Sequence, residues 1–215
     1  MRRPLIYALL VILNAPVLTC AGPQELLDRI VARVENDIIL LSDVRALSHY
    51  QLLVDGKSES DAQILERLLD QWIVRSEAEN AHFPHPAQAD ISRGIERLRD
   101  SFASTEEYEA RKKQAVLSDG DIHNMVSTQL YLSNYLDSRF RSAVQVDPKQ
   151  IEIFYQEAIV SRAKARNQEP PSLEASRDSI QEALIQRGIN EQADRWLKES
   201  RARLHVDEFL NAEAP

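Results

Sequence analysis

The chain has 215 residues, 43% of them hydrophobic, which is enough for one domain with a real core and too apolar for a disordered polymer. Its 26 basic and 34 acidic side chains leave a net charge of −8, so it offers no basic surface for general nucleic-acid binding. The five glycines, Gly22, Gly56, Gly94, Gly120 and Gly188, lie far apart, which excludes a phosphate-cradling GxGxxG or GxxxxGK loop and a GxSxG nucleophile elbow.

At the N-terminus, Arg2 and Arg3 precede nine apolar residues, Leu5 to Leu13, and Thr19-Cys20-Ala21 supplies small residues for cleavage. This is the layout of a secretory signal peptide over residues 1–21. The apolar run falls short of the roughly 20 residues of a membrane span. Cleavage after Ala21 removes the single cysteine and leaves 24 basic against 34 acidic residues, a net charge of −10. A mature chain without thiols suits an exported protein with nothing to oxidise. A rival reading takes Val17-Leu18-Thr19-Cys20 as a lipobox with a lipid on Cys20, although Thr19 is unusual before such a cysteine.

Leu27 to Val34 is β-branched and partly alternating, and predicts a short strand. A polar turn, Glu35-Asn36-Asp37, and an apolar run from Ile38 to Leu41 follow. Ser42-Asp43 reads as an N-cap for a helix through about Val54. Ser60 and Gln63 have capping-box spacing before the stripe Ile64, Leu65, Leu68, Leu69, Trp72 and Ile73, and prolines 84 and 86 end that helix near Ala81. Further helices are predicted from Ala87 to Phe102, from Ser104, from Ser118 and from Asp147-Pro148. The helix after Ser118 is apolar around much of its circumference, as a helix buried on more than one side should be. Residues 160–171 are polar and end in two prolines, which predicts a linker. A long helix from Ser172 to about Leu204 follows, weakened by Gly188 by about 1 kcal/mol relative to alanine. The tail around His205-Val206-Asp207 is the best partner for the N-terminal strand, because a lone pair of strands needs support. The expected fold class is mostly α, with a small β element pairing the N- and C-terminal strands.

Chemistry-bearing constellations are sparse. His82 and His85 sit in a proline-broken loop without the third ligand that a metal needs, and His123 lies at a helix start, where a capping or surface role is expected. Acidic pairs such as Glu106-Glu107 fit the helix dipole. No catalytic residue, metal site or cofactor is expected. Aromatic residues on adjacent helical segments are either core or the lining of an apolar crevice, and periodicity alone does not separate these. Leu98, Phe102, Tyr108, Tyr131 and Tyr135 are the residues expected to line such a crevice and to bind substrate.

The segment from Leu27 to Val44, LDRIVARVENDIILLSDV, resembles the opening of the SurA family of periplasmic chaperones. Ile64 to Ala78 is similar to the family's next helix, Val146-Asp147-Pro148 to the end of its N-terminal region, and Ser179–Gln186 and Trp196–Arg203 to its C-terminal helix. The likeness spans nearly the whole mature chain. Relatives usually carry parvulin-type prolyl isomerase domains before the last helix. Here residues 160–171 stand in that place, far fewer than the roughly 50 a domain needs, and the parvulin GGxLG signature is absent. The resemblance implies residues 22–159 as the N-terminal helical domain, 160–171 as a linker, and 172–215 as a long helix and strand completing the same core. It further implies a periplasmic, ATP-independent holdase, not an enzyme, that takes unfolded outer-membrane or secreted proteins as clients and works beside envelope assembly machinery. The acidic mature chain would favour clients with basic stretches. Two other readings stay open at this point: an adapter for one folded envelope partner, and an isomerase acting through an unrecognised site.

Overall fold

A computed structural model describes residues 28–210, so the expected signal peptide, Cys20 and residues 211–215 lie outside it. The architecture is mostly helical with one small antiparallel sheet. Strands β1 (Ile30–Val34), β2 (Asp37–Leu40) and β3 (Val206–Glu208) are arranged in the order β2-β1-β3. The expected pairing of the N- and C-terminal strands is present, with Ala32 opposite Glu208 and Val34 opposite Val206. The apolar run after the first turn, for which no strand was predicted, supplies β2 on the other side of β1. Glu35 in the turn takes a left-handed backbone, φ 53°, which a side chain disfavours. Its N–H donates to His205 O at 3.1 Å and its Oε1 accepts from His205 N–H at 2.9 Å, so the C-terminal segment holds the turn.

Helix α1 (Leu41–Asp55) begins one residue before the expected cap at Ser42. Ser42 is itself inside the first turn, and carboxylates take the orphan donors instead. Asp43 Oδ2 accepts from Leu40 N–H at 2.8 Å, and Asp28 Oδ1, from before β1, accepts from Ser42 N–H at 3.2 Å. The hydrogen bonds from Ser42 hold the Asp28 carboxyl below its usual range. Helix α2 (Asp61–Asn80) has the expected capping box at Ser60, whose Oγ accepts from Gln63 N–H while Gln63 Oε1 accepts from Ser60 N–H at 3.1 Å. Helices α3 (Gln88–Asp100), α4 (Thr105–Gln114) and α5 (Asp119–Phe140) follow, the last two capped by Ser104 and Ser118 as predicted. A 3₁₀ turn at Arg141–Ala143 then leads to α6 (Pro148–Phe154), capped by Asp147.

The first half of the expected linker, residues 160–165, is helical, and residues 166–171 are irregular as expected. A π turn at Tyr155–Val160 continues α6 directly into α7 (Ser161–Ala165), which leaves only the stretch before α8 (Leu173–Arg201) irregular. The stretch reads as polar because this arm buries little, Ala163 being its buried position. Tyr155 Oη donates to Pro171 O at 2.7 Å and ties the start of α8 back to the arm.

Three apolar clusters hold the molecule together. The sheet packs Val31, Val34 and Ile39 on Val44 and Leu47 of α1 and Ile64, Leu65 and Leu69 of α2, with Leu204, Val206 and Leu210 joining from the C-terminal end. A second cluster joins Leu53, Ile91, Tyr108, Ile122 and Val126. A third sets Val74 and Ala78 of α2 against Tyr131, Leu132 and Tyr135 of α5, with Trp196 and Leu197 of α8. Polar contacts fasten α8 as well. Arg141 reaches Asp137 and Glu182, both at 2.7 Å, and Arg201 pairs with Glu66 and Asp70 of α2. The Arg139 guanidinium stacks over the Trp196 ring at 4.9 Å. Among the described residues, no helix is long and apolar enough to cross a membrane.

Candidate functional site: a groove over the central helix

Helices α2 and α3 both pack on α5, while α3 makes no comparable packing with α1 or α2. The gap between them is a groove of about 1060 Å³ whose floor is α5. Met125, Leu132 and Leu136 form much of that floor, and Leu47 and Val54 of α1 face it from one wall. The opposite wall is the α3 face made by Gly94, Arg97, Leu98 and Ser101, whose spacing is that of one helical stripe. Val54, 41% exposed, sits on the groove's edge.

Gly94 sets how closely that wall approaches. A Cβ there would meet Val126 Cγ1 at 2.8 Å and Leu130 Cδ1 at 3.3 Å, so α3 lies on α5 at a distance that only glycine allows. At another point Tyr50 Oη of α1 donates to Gln129 Oε1 of α5 at 3.2 Å. Burial, with the nearby Tyr108 phenol adding to it, raises the Tyr50 hydroxyl above its usual pKa and keeps it a donor.

The mouth is polar. Glu59, in the connection between α1 and α2, accepts a two-pronged ion pair from Arg67 Nε and Nη2 and a further hydrogen bond from Gln51 Nε2 at 2.8 Å. The Arg67 hydrogen bonds, with Gln51 second, hold the Glu59 carboxyl at about 2. Gln51 also accepts from Glu59 N–H at 3.0 Å, and Ser48 and Ser58 share a hydroxyl contact at 2.8 Å, so the connection is fixed to α1. Three charged lining residues remain, Asp55, Lys57 and Arg97, and none has an ion-pair partner among the described residues. Chemically the site is an apolar trough with hydrogen-bonding amides and unpaired charges at its mouth.

Of the five residues expected to share one crevice, Leu98 alone lines this groove. Tyr108 is fully buried in the second cluster, where Phe102 meets it edge-on at 5.4 Å and its hydroxyl has no partner among the described residues. Phe102 is partly buried against the same cluster. Tyr131 and Tyr135 are buried in the third cluster beneath Phe83, and the His85 ring stacks on Tyr131 at 4.4 Å. The aromatics therefore divide between two cores, because their helical stripes meet neighbouring elements. Sequence reasoning missed Leu47, Val54, Met125, Leu132 and Leu136. The signal for the last three was present in the apolar circumference of α5, which exceeds what its neighbours cover. His82 is exposed in its loop, and His123 Nε2 lies 3.2 Å from Gln88 Oε1, bridging the starts of α5 and α3. Among the described residues, no three His, Asp or Glu side chains gather as metal ligands. Neither a family model nor any curated protein matches the chain.

Proposed function

We propose that the protein is an exported, ATP-independent holdase of the periplasm, which binds extended segments of unfolded outer-membrane or secreted proteins in the groove over α5. The observation that carries this reading is the groove itself. It sets leucine, valine and methionine side chains in reach of a ligand, between walls that offer amide and hydroxyl partners for a peptide backbone. The likeness of Leu27–Val44 and of the later helices to SurA-type chaperones supports the same reading. Binding would be weak and reversible, since ordering an unfolded client offsets much of the contact energy.

The test is suppression of aggregation of an unfolded outer-membrane β-barrel protein by the purified protein, without ATP, beside a folded control of equal charge. Suppression near equimolar amounts is expected. The variant Val54→Asp, on the groove edge, should weaken client binding about fivefold, the worth of a partly buried valine at about 1 kcal/mol, with little change in Tm. Ile153→Asp, at a similarly exposed apolar position on α6 outside the groove, should leave suppression intact. No suppression by the folded wild-type protein would overturn the holdase reading in favour of an adapter for one folded partner.

A further inference from the structure

We propose that the groove selects apolar client segments that carry a carboxylate, and that Arg97 is the residue that reads it. The inference rests on the groove being the client site. The whole chain carries −8, and its long-range field favours basic segments. The groove has the opposite balance. Five charged side chains line it, Asp55, Lys57, Glu59, Arg67 and Arg97. Glu59 and Arg67 neutralise each other in a two-pronged ion pair. What remains is Lys57 and Arg97 against Asp55 alone, a local excess of positive charge in an acidic molecule.

Arg97 is the better placed of the two cations. It stands on α3 directly beside Leu98, on the stripe that faces the α5 floor, so one bound segment can lay an apolar side chain on Leu98 and a carboxylate on the guanidinium. Its neighbour Arg93, one turn earlier, is engaged by Asp90 and does not line the groove. A guanidinium without a carboxylate of its own accepts one from a ligand in a two-pronged geometry. Long-range charge and the contact surface thus pull in different directions. At ordinary salt the long-range part is screened beyond about 8 Å, and the contact decides.

The experiment uses three fluorescently labelled peptides with the same apolar core and flanking Glu, Gln or Lys, titrated into the wild-type protein and followed by anisotropy. The Glu peptide should bind tighter than the Gln peptide by up to about fivefold, the upper end of what an exposed ion pair supplies, and the Lys peptide should bind weakest. Arg97→Gln should remove most of the difference between the Glu and Gln peptides, and Arg93→Gln should keep it. Equal binding of all three, tightest binding of the Lys peptide, or a Glu preference that survives Arg97→Gln would overturn the inference while leaving the client reading in place. Binding of none of the three would overturn the client reading and this inference with it.

Discussion

Gly188 lies inside α8, where helix propensity alone makes alanine better by about 1 kcal/mol. Its surroundings reverse that sign. A Cβ at Gly188 would sit 2.5 Å from Val144 Cγ1 and 3.0 Å from Val144 Cγ2, so the segment after the 3₁₀ turn is seated against bare helix backbone. Gly188→Ala should therefore destabilise the protein by about 1–2 kcal/mol, seen as a lower urea midpoint at unchanged m. Adding Val144→Ala should recover most of the loss, and a single variant more stable than wild type would show that the contact relaxes freely. The sequence made the cost of Gly188 legible but not its purpose, because close approach depends on a partner 44 positions away that no local pattern names. The same limit applies to Tyr108. Its position on a helix was readable, whereas its complete burial follows from how α4 meets α1, which is a property of packing.

Helix starts were the most legible elements. Ser60, Ser104, Ser118, Asp147 and Ser172 cap helices where the sequence places them, since the cap is a local hydrogen bond to a donor two or three residues on. The start of α1 was misplaced because one of its acceptors, Asp28, comes from the segment before β1, 14 residues away. Contacts between elements were invisible for the same reason, and the Arg141 clamp on Asp137 and Glu182 is one of them. The Arg141 hydrogen bonds, helped by Gln186, hold the Glu182 carboxyl at about 2, below its ordinary 4.5. A carboxyl lowered by folding stabilises the folded state above its ordinary value and loses that contribution as pH falls from about 4.5 to about 2. Glu182→Gln should thus lower Tm slightly at neutral pH, and the gap from wild type should close as the pH drops through that window. The effect is small and salt-sensitive, because the pair is exposed. A gap that stays constant with pH would show that the clamp is not electrostatic.

Across the whole molecule, three helices join the clusters, α1 linking the first to the second, α5 the second to the third and α2 the first to the third. The fold class and the pairing of β1 with β3 were legible because they follow from periodicity and from the need of one strand for a partner. The groove was not, because an apolar stripe looks the same whether another helix covers it or leaves it open. Closure of the sheet gives a test at this scale. Ending the chain before Leu204 removes β3, the two hydrogen bonds at Glu35 and three side chains of the first cluster, and should lower Tm sharply or abolish cooperative melting. An unchanged melt would mean that β1 and β2 stand without the third strand. One bond crosses the same junction: Arg29 Nη2 donates to Leu210 O over a sequence separation of 181 residues. A ribosome delivers the first of these residues 181 positions before the second. The first cluster therefore waits, incomplete, while the residues between are made, and the pairing that completes it is long-range and slow. A sheet that can close only once its third strand exists leaves one edge of β1 open to other partners until then, so β1 is the place where a premature pairing would form.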